Sequence, residues 1–379
     1  MPDTTLVRAF LAPHHAPFAE RASGFAMGEI ANRPEPADDA AARVEARALV
    51  RLLGSGGWLK PIFDLDLRGC CLVREALGEA SPLADAVFAL QGLGTTPILS
   101  SGSAAQKERW LGPIAEGKVM TAFAMTEPEA GSDVASIATS ARREGSGYIL
   151  NGTKTLISNA GIADLYTVFA STDRGRGTKA MSCFLVPADA PGLRFVGPLV
   201  LSAPHPLGEI AFEDCRVPAE ALLGEEGRGF GIGLAALDRL RPTVAAAACG
   251  MAARALAESL SHVKARRQFG KPLAEFQLVQ QKLARMATEL TAARLLVYRA
   301  AYEKDQGQER ITSEAAMAKS FATEMAQRAV DDAVQLIGGR GVLANHPVDR
   351  LYRAVRALRI YEGTTEIQQL IIAGELLKG

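Results

Sequence analysis

Two short strings, more than two hundred residues apart, hold the side chains best suited to chemistry. The later one, Tyr361-Glu362-Gly363-Thr364-Thr365, sets a glutamate between a helical stretch and a new helical pattern, Ile367 to Leu377. A carboxylate at such a junction projects from the end of a rigid element, and the adjacent glycine lets a ligand approach the backbone closely. That is a suitable placement for a general base, although a Glu before Gly, taken alone, is more commonly a solvated loop residue. The earlier string is Phe123-Ala124-Met125-Thr126-Glu127-Pro128-Glu129-Ala130-Gly131-Ser132-Asp133. Its Glu127-Pro128 pair forces extended backbone. Gly131 permits an unusual dihedral, and Ser132 and Asp133 are short polar groups able to hold a phosphate-bearing ligand or cap a turn.

These strings need elements to hold them. From Ala40 to about Gly117 the pattern is helical: Ala41 to Leu53 stops at Gly54-Ser55-Gly56-Gly57, and Leu72 to Leu77 and Ala84 to Leu93 follow, punctuated by Pro82 and Pro97. Ser103-Ala104-Ala105-Gln106 fits a capping box opening a helix through Trp110. From Val119 to about Phe230 the pattern turns to strands. Tyr148 to Leu150 and Thr153 to Ile157 flank Asn151-Gly152, a hairpin signal, and Leu165 to Ala170, Met181 to Val186 and Glu209 to Phe212 read as further strands. From Ile232 helices return. Leu283, Met286, Leu290, Ala293 and Val297 form one stripe, and Ala315 to Ile337 forms a long helix ended by Gly338-Gly339 and Gly341. The expected architecture is α+β: a helical N-terminal domain (1–118), a middle β-barrel or sandwich domain (119–230), and a C-terminal four-helix bundle (231–379).

With 379 residues, 48% hydrophobic and 22% charged, the chain has the composition of a soluble globular protein. Forty-two basic residues balance forty-two acidic ones, so no global field recruits nucleic acid or a membrane. Met1-Pro2-Asp3-Thr4-Thr5 shows no signal peptide, and no apolar run of about 18 residues suggests a spanning helix. Cys70, Cys71, Cys183, Cys215 and Cys249 form no Cys-x-x-Cys pair and read as buried reduced thiols, which suits a cytoplasmic location. His14, His15, His205, His262 and His346 are scattered, so no metal is expected.

The two strings, in this order, resemble the signatures of the acyl-CoA dehydrogenase family of flavoproteins, and the likeness runs along nearly the whole chain. The resemblance implies FAD-dependent α,β-dehydrogenation of an acyl-CoA thioester to the trans-2-enoyl-CoA. Glu362 would take the α proton, the β hydrogen would leave as hydride to flavin N5, and electrons would pass to an electron-transfer flavoprotein. It also implies a shared cofactor site and hence a homo-oligomer, usually a dimer of dimers. An acyl-CoA oxidase or a flavin monooxygenase on the same fold is the alternative, and monooxygenase relatives lack the glutamate base. A non-enzymatic, nucleic-acid-associated relative would carry a basic C-terminal extension, whereas this sequence stops at Leu377-Lys378-Gly379.

By the same resemblance, Phe123, Met125, Thr126, Gly131 and Ser132 line the flavin and its pyrophosphate. Leu156, Ile157 and Ser158 flank the ring, with Ser158 standing where a threonine usually bonds flavin N5. Arg266, Gln268 and Phe269 match a segment that reaches the FAD of a neighbouring subunit, Gln277, Gln335, Gly338 and Gly339 match further FAD contacts, and Thr364 and Glu366, which follow the base, are also implied in cofactor binding. Ser132, Asp238, Arg241 and Gly363 are implied in substrate binding. For Asp238 and Arg241 a surface i,i+3 charge pair is an equal alternative, and Thr365 with Gln368 also fits a capping box. Some relatives carry the base on the helix near Leu234, but the matching position here is Leu240, which cannot accept a proton. Leu156 departs from the family's usual tryptophan. By the same resemblance, Ala84 stands where glutaryl-CoA relatives have the arginine that holds a second carboxylate, which argues against a dicarboxylic acyl group.

Overall fold

The computed structural model describes residues 4–378; Met1, Pro2, Asp3 and Gly379, on which the leader and C-terminal expectations partly rest, lie outside the described residues. Ahead of the sheet run α1 (Thr4–Val7), α2 (His15–Phe25), α3 (Asp39–Ser55), α4 (Lys60–Phe63), α5 (Leu67–Ala80), α6 (Pro82–Ser101) and α7 (Ala104–Ala115). The strands are β1 (Thr121–Ala124), β2 (Ser140–Glu144), β3 (Gly147–Ser158), β4 (Leu165–Ser171), β5 (Met181–Pro187), β6 (Leu193–Pro198), β7 (Leu207–Pro218) and β8 (Leu222–Leu223). Then come α8 (Gly229–Ala265), the short ladder of β9 (Arg267–Gln268) and β10 (Lys271–Pro272), α9 (Gln277–Asp305), α10 (Thr312–Ile337), α11 (Pro347–Leu358) and α12 (Thr365–Leu376). This is the helical, sheet, helical order of the expected fold class. The chain gathers into two compact units, Met1–Pro34 with Leu65–Asp85 and Asp238–Gly379, and Glu35–Asp64 with Ala86–Leu237.

In the first unit, α10 packs on α9, α11 and α12, while α5 packs on α2 and α9. Met286, Leu290, Ala293 and Val297 of the α9 stripe are buried, as the period of 3.6 requires. Helix α5 is buried on every side from Leu67 to Gly78. A helix with no solvent face must neutralise whatever charge it carries. Arg68 pairs with Asp305 at 2.8 Å, Arg74 with Asp85 at 2.7 Å, and Glu75 with Arg294 at 2.7 Å and the Tyr298 hydroxyl at 2.9 Å. Helix α8 can lie this close to α5 because two glycines remove the obstructing side chains. A Cβ on Gly250 would stand 2.0 Å from the Glu75 carbonyl oxygen, and one on Gly78 would stand 2.6 Å from that of Ala247.

In the second unit the sheet runs β6-β7-β3-β2-β4-β5-β8, with β1 parallel to β4 beside that path. Ala122, Ala124, Leu150, Val168, Phe184, Val186 and Phe212 belong to one of its cores, and Met125, Leu165, Phe169 and Leu185 to another. The Ser103–Gln106 capping box forms in full at the start of α7.

Three local expectations need correction. Asn151-Gly152 is not a hairpin turn: β3 runs through it, and the β2–β3 reversal lies between Glu144 and Gly147. Gly152 instead occupies a bulge against β7 at φ 147°, and Asn151 spends its side-chain oxygen on the Asp214 N–H at 2.9 Å. Pro97 does not end its helix, since α6 continues to Ser101; nor is Thr365 the cap of α12. Thr364 is, accepting from the Ile367 N–H at 3.3 Å, while the Thr365 hydroxyl donates to Glu324 at 2.7 Å. All five cysteines are free and buried.

Candidate active site

Helix α11 ends at Leu358, and the chain reverses through Glu362 and Gly363 before Thr364 opens α12. Both reversal residues are left-handed, with φ of 56° and 91°. Six described non-glycine residues adopt positive φ, and three of them are Leu156, Phe269 and Glu362. Each falls in a segment singled out from sequence. Holding an L-residue there costs on the order of 1–3 kcal/mol and persists where surrounding structure enforces it.

Around Glu362 that enforcement is visible. Arg241 Nε and Gln368 Nε2 each donate to the Glu362 carbonyl oxygen at 3.3 Å. Lys319 Nζ and Gln368 Nε2 donate to the Gly363 carbonyl oxygen at 2.6 and 3.0 Å. The reversal is thus pinned by its carbonyls from α8, α10 and α12. Its side chain is treated differently: Glu362 Oε2 is buried and without a hydrogen-bond partner among the described residues. Burial pushes the Glu362 carboxyl above the usual range, opposed by Arg74, Lys319 and Arg241. Burial likewise pulls Lys319 down to about 8, with Glu362 opposing. An unpartnered carboxylate oxygen with raised basicity on a fixed backbone can accept a proton from a bound molecule.

Asp238 accepts from Arg241 at 3.4 Å and from the Thr312 hydroxyl at 3.0 Å. Arg241 is 6% exposed, so this is a largely buried pair rather than a surface one. Leu240 is buried and apolar. Arg266, Gln268, Phe269, Gln277, Gln335, Gly338 and Gly339 are all exposed, and Phe269 is 92% exposed. Glu366 is exposed in the first turn of α12.

The sheet unit carries the other string. Phe123 packs on Phe169 with ring centroids 4.8 Å apart, Met125 is buried, and the Thr126 carbonyl accepts from the Thr155 N–H at 3.0 Å. Gly131 and Ser132 are exposed. A residue outside the predicted set organises this loop. The Glu127 carboxylate accepts from the Ala138 N–H at 2.5 Å, the Thr139 N–H at 3.0 Å and Lys154 Nζ at 2.7 Å. Lys154 Nζ also donates to the Met125 carbonyl at 3.0 Å. On β3, Leu156 is 56% exposed at φ 54°, Ile157 is buried, and Ser158 Oγ lies 2.7 Å from His205 Nε2. Burial pulls His205 down to about 4, so its ring is neutral at pH 7.

His14, His15 and Asp66 bring ligand-type atoms within 4.8 Å of one another, a grouping that the scattered histidines did not suggest. His15 Nδ1 accepts from the Ala12 N–H at 2.9 Å, which leaves its proton on Nε2, 3.1 Å from Asp66. Asp66 also caps α5 through the Gly69 N–H at 2.9 Å. Burial raises the Asp66 carboxyl, but the His15 and Gly69 bonds outweigh it and bring it to about 2. This is a hydrogen-bonded helix start.

Sequence reading missed Arg74, Asp85, Lys319, Glu127, Lys154 and His205. The available signal was charge inside apolar runs, as with Arg74 in Leu72-Val73-Arg74 and Lys319 in Ala316-Met317-Ala318-Lys319.

Family models match three successive stretches: the acyl-CoA dehydrogenase N-terminal domain over residues 12–118, its middle domain over 122–215, and its C-terminal domain over 227–377. The chain is 44% identical to the 3-(aryl)acrylate reductase of Clostridium sporogenes over 316 residues, covering 83% of this chain and 84% of that protein. It is 45% identical to the mitochondrial short-chain specific acyl-CoA dehydrogenase of Mus musculus over 318 residues, covering 83% and 77%. The solved butyryl-CoA dehydrogenase of Megasphaera elsdenii superposes with a TM-score of 0.90 at 35% identity, covering 97% of this chain and 99% of that one. A chain from work on the electron transferring flavoprotein of Acidaminococcus fermentans gives 0.93 at 36%, covering 97% and 99%.

Proposed function

Because the chain belongs to the acyl-CoA dehydrogenase family of FAD-dependent oxidoreductases, we propose that it oxidises an acyl-CoA thioester to the trans-2-enoyl-CoA, with Glu362 as the base. The observation that carries this reading is the buried, unpartnered Glu362 Oε2 on a backbone pinned by Arg241, Lys319 and Gln368.

The residues present fit the cofactor by their donor chemistry. In the sheet unit the Ser158 hydroxyl and the Thr126–Ser132 loop offer neutral donors, with Phe123, Met125 and Ile157 behind them and the half-exposed Leu156 as an apolar surface. In the helical unit the exposed Arg266 suits a pyrophosphate, because its fork bonds two oxygens, and Gln268, Gln277, Gln335, Gly338 and Gly339 add amide donors. These we assign to the FAD of a second copy, with Phe269 beside them. When bound, FAD supplies the acceptor for the β hydrogen.

The chain's own residues do the rest. The α proton of a thioester is weakly acidic, so its carbonyl needs donors where enolate charge develops. The carbonyls of Glu362 and Gly363 are occupied by side chains from three helices, which fixes the attached carboxylate and backbone N–H in place. That N–H is the donor we assign to the thioester oxygen. Water exclusion by the acyl chain raises carboxylate basicity further. Asp238 and Arg241 are assigned to order this wall for the CoA thioester, together with Ser132 and Gly363; Thr364 and Glu366 hold the start of α12.

The expected electron acceptor is an electron-transfer flavoprotein, and the expected state is a homo-oligomer in the cytoplasm. Phe269, Leu278, Leu376 and Leu377 are large apolar residues at least 70% exposed on one unit, which supports association between copies. No helix among the described residues is long and apolar enough to cross a membrane.

Anaerobic absorbance titration with a panel of short, branched, alicyclic and aryl acyl-CoA thioesters tests the reading. Bleaching of a bound flavin by one class is expected. A flavin that no thioester reduces would defeat it. Arg266→Ala is expected to lower the FAD content of purified protein at least several-fold. Unchanged flavin content would remove Arg266 from the cofactor site.

A further inference from the structure

His205 stands in Ala203-Pro204-His205-Pro206, between two prolines that restrict the chain on either side of it. The following proline biases His205 itself to extended backbone, so the ring is presented from a stiff segment. Its Nε2 lies 2.7 Å from Ser158 Oγ. Ser158 ends β3, two residues after Leu156 and one before Asn159, both of which are left-handed. The backbones that carry the two side chains are tied together. Ser158 pairs with Leu207 at the start of β7, and the Asn159 N–H donates to the Pro206 carbonyl oxygen at 2.8 Å. Arg43 of α3 closes the arrangement, donating from Nη1 to the Ala160 carbonyl oxygen at 2.5 Å and from Nη2 to that of Leu207 at 2.8 Å. Its Nε donates to Asp39 at 2.6 Å, and its guanidinium lies 5.1 Å from the centre of the Phe195 ring.

A serine has no β-branch, so sterics alone leave its χ1 and its hydroxyl rotor several choices. It carries one hydrogen to donate and two lone pairs to accept. A ring held 2.7 Å away removes that freedom and decides which way the hydrogen points. The ring is neutral at pH 7, and the charges acting on it, Asp39 and Arg43, pull in opposite directions. It therefore has a single N–H, and the tautomer sets the roles. With the hydrogen on Nδ1, Nε2 would accept and use up the Ser158 donor. With the hydrogen on Nε2, the ring donates and Ser158 keeps its own hydrogen for a bound acceptor. Only the second arrangement suits a hydroxyl that donates to a cofactor.

We propose that His205 is a positioning residue of the cofactor site, donating from Nε2 to Ser158 so that the hydroxyl hydrogen is left free for the flavin. The inference rests on Ser158 being a donor to FAD, and deepens that reading. Two measurements on the full-length holoprotein test it. The ring nitrogen resonances, assigned by comparison with His205→Gln, should show His205 protonated at Nε2 and bare at Nδ1. A ring protonated at Nδ1 overturns the proposal. The second measurement is the FAD dissociation constant, read from flavin fluorescence on dilution. His205→Leu should raise it about three- to ten-fold, the net worth of one hydrogen bond. His205→Gln, whose amide N–H can still donate to Ser158, should recover most of that loss. In a Ser158→Ala background, His205→Leu should change the constant little, since the hydroxyl it orients is gone. An equal loss in both backgrounds would mean that the ring only packs the start of β7, and would overturn the proposal. So would a Ser158→Ala protein that holds FAD as tightly as wild type. Should the leucine variant not fold, the tautomer still decides. A wild-type flavin that no acyl-CoA reduces would instead defeat the dehydrogenation reading and leave the tautomer and these affinities as they stand.

Discussion

Glu362→Gln protein is expected to retain FAD and to lose flavin reduction by acyl-CoA by a factor of about 10²–10⁴, the usual contribution of a positioned general base. Retention follows from how the segment is held. Arg241, Lys319 and Gln368 bond the backbone carbonyls of Glu362 and Gly363, and a glutamine at 362 keeps both carbonyls and the backbone N–H. The side-chain oxygen makes no hydrogen bond whose loss would loosen the turn. Only the capacity to take a proton disappears. Anaerobic stopped-flow reduction at several pH values separates the outcomes. Burial raises the folded-state carboxyl above its ordinary value, so in wild type the rate should fall as pH drops through that raised value. The variant should be slow and flat over the same range. Reduction at the wild-type rate would place the base elsewhere, with Asp238 the first position to examine.

The elements that carry periodicity were readable from sequence, as were the two strings that carry chemistry. The α9 stripe, the Ser103–Gln106 box and the stop at Gly338 all depend on neighbours within a few residues. Asn151-Gly152 misled because its local preference for a turn was overridden by β7, which accommodates the same pair as a bulge with Asn151 bonded to Asp214. Pro97 misled because a proline forbids only one intrahelical bond, and the buried surroundings of α6 kept the helix continuous through it. Glu362 stood out through its neighbours Tyr361 and Gly363. Arg74 and Asp85 did not, because what makes them meaningful is a contact across eleven residues and another across 169. No spacing rule connects α5 to α8. The link exists because Gly78, Gly250 and the alanines from Ala245 to Ala248 let the two helices come together.

The same contrast explains the second large effect, at Lys154. Its ammonium is fully buried and bonds the Glu127 carboxylate and the Met125 carbonyl, the two residues that bracket Thr126 in the cofactor string. Burial pulls Lys154 down to about 8, opposed by Glu127, so it is still mostly charged at pH 7. Burial disfavours the ionised Glu127 carboxyl, yet Lys154, Thr139 and Ala138 together hold it below its usual range. Lys154→Met would strand that carboxylate in the interior with only two backbone N–H partners. Breaking one side of a buried pair costs about 3–5 kcal/mol, which for a unit of this size is a fall of roughly 10 °C in Tm. Flavin content should fall with it, because the Thr126–Ser132 loop loses its anchor. Pairing Lys154→Met with Glu127→Gln should recover part of the loss, because no unpaired charge remains; the amide oxygen keeps one of the two N–H donors, Ala138 and Thr139, which bond different carboxylate oxygens. Differential scanning calorimetry on the single and double variants decides it. A double variant no more stable than Lys154→Met alone would mean that Lys154 acts through packing and the Met125 carbonyl, with its charge on Glu127 of little consequence.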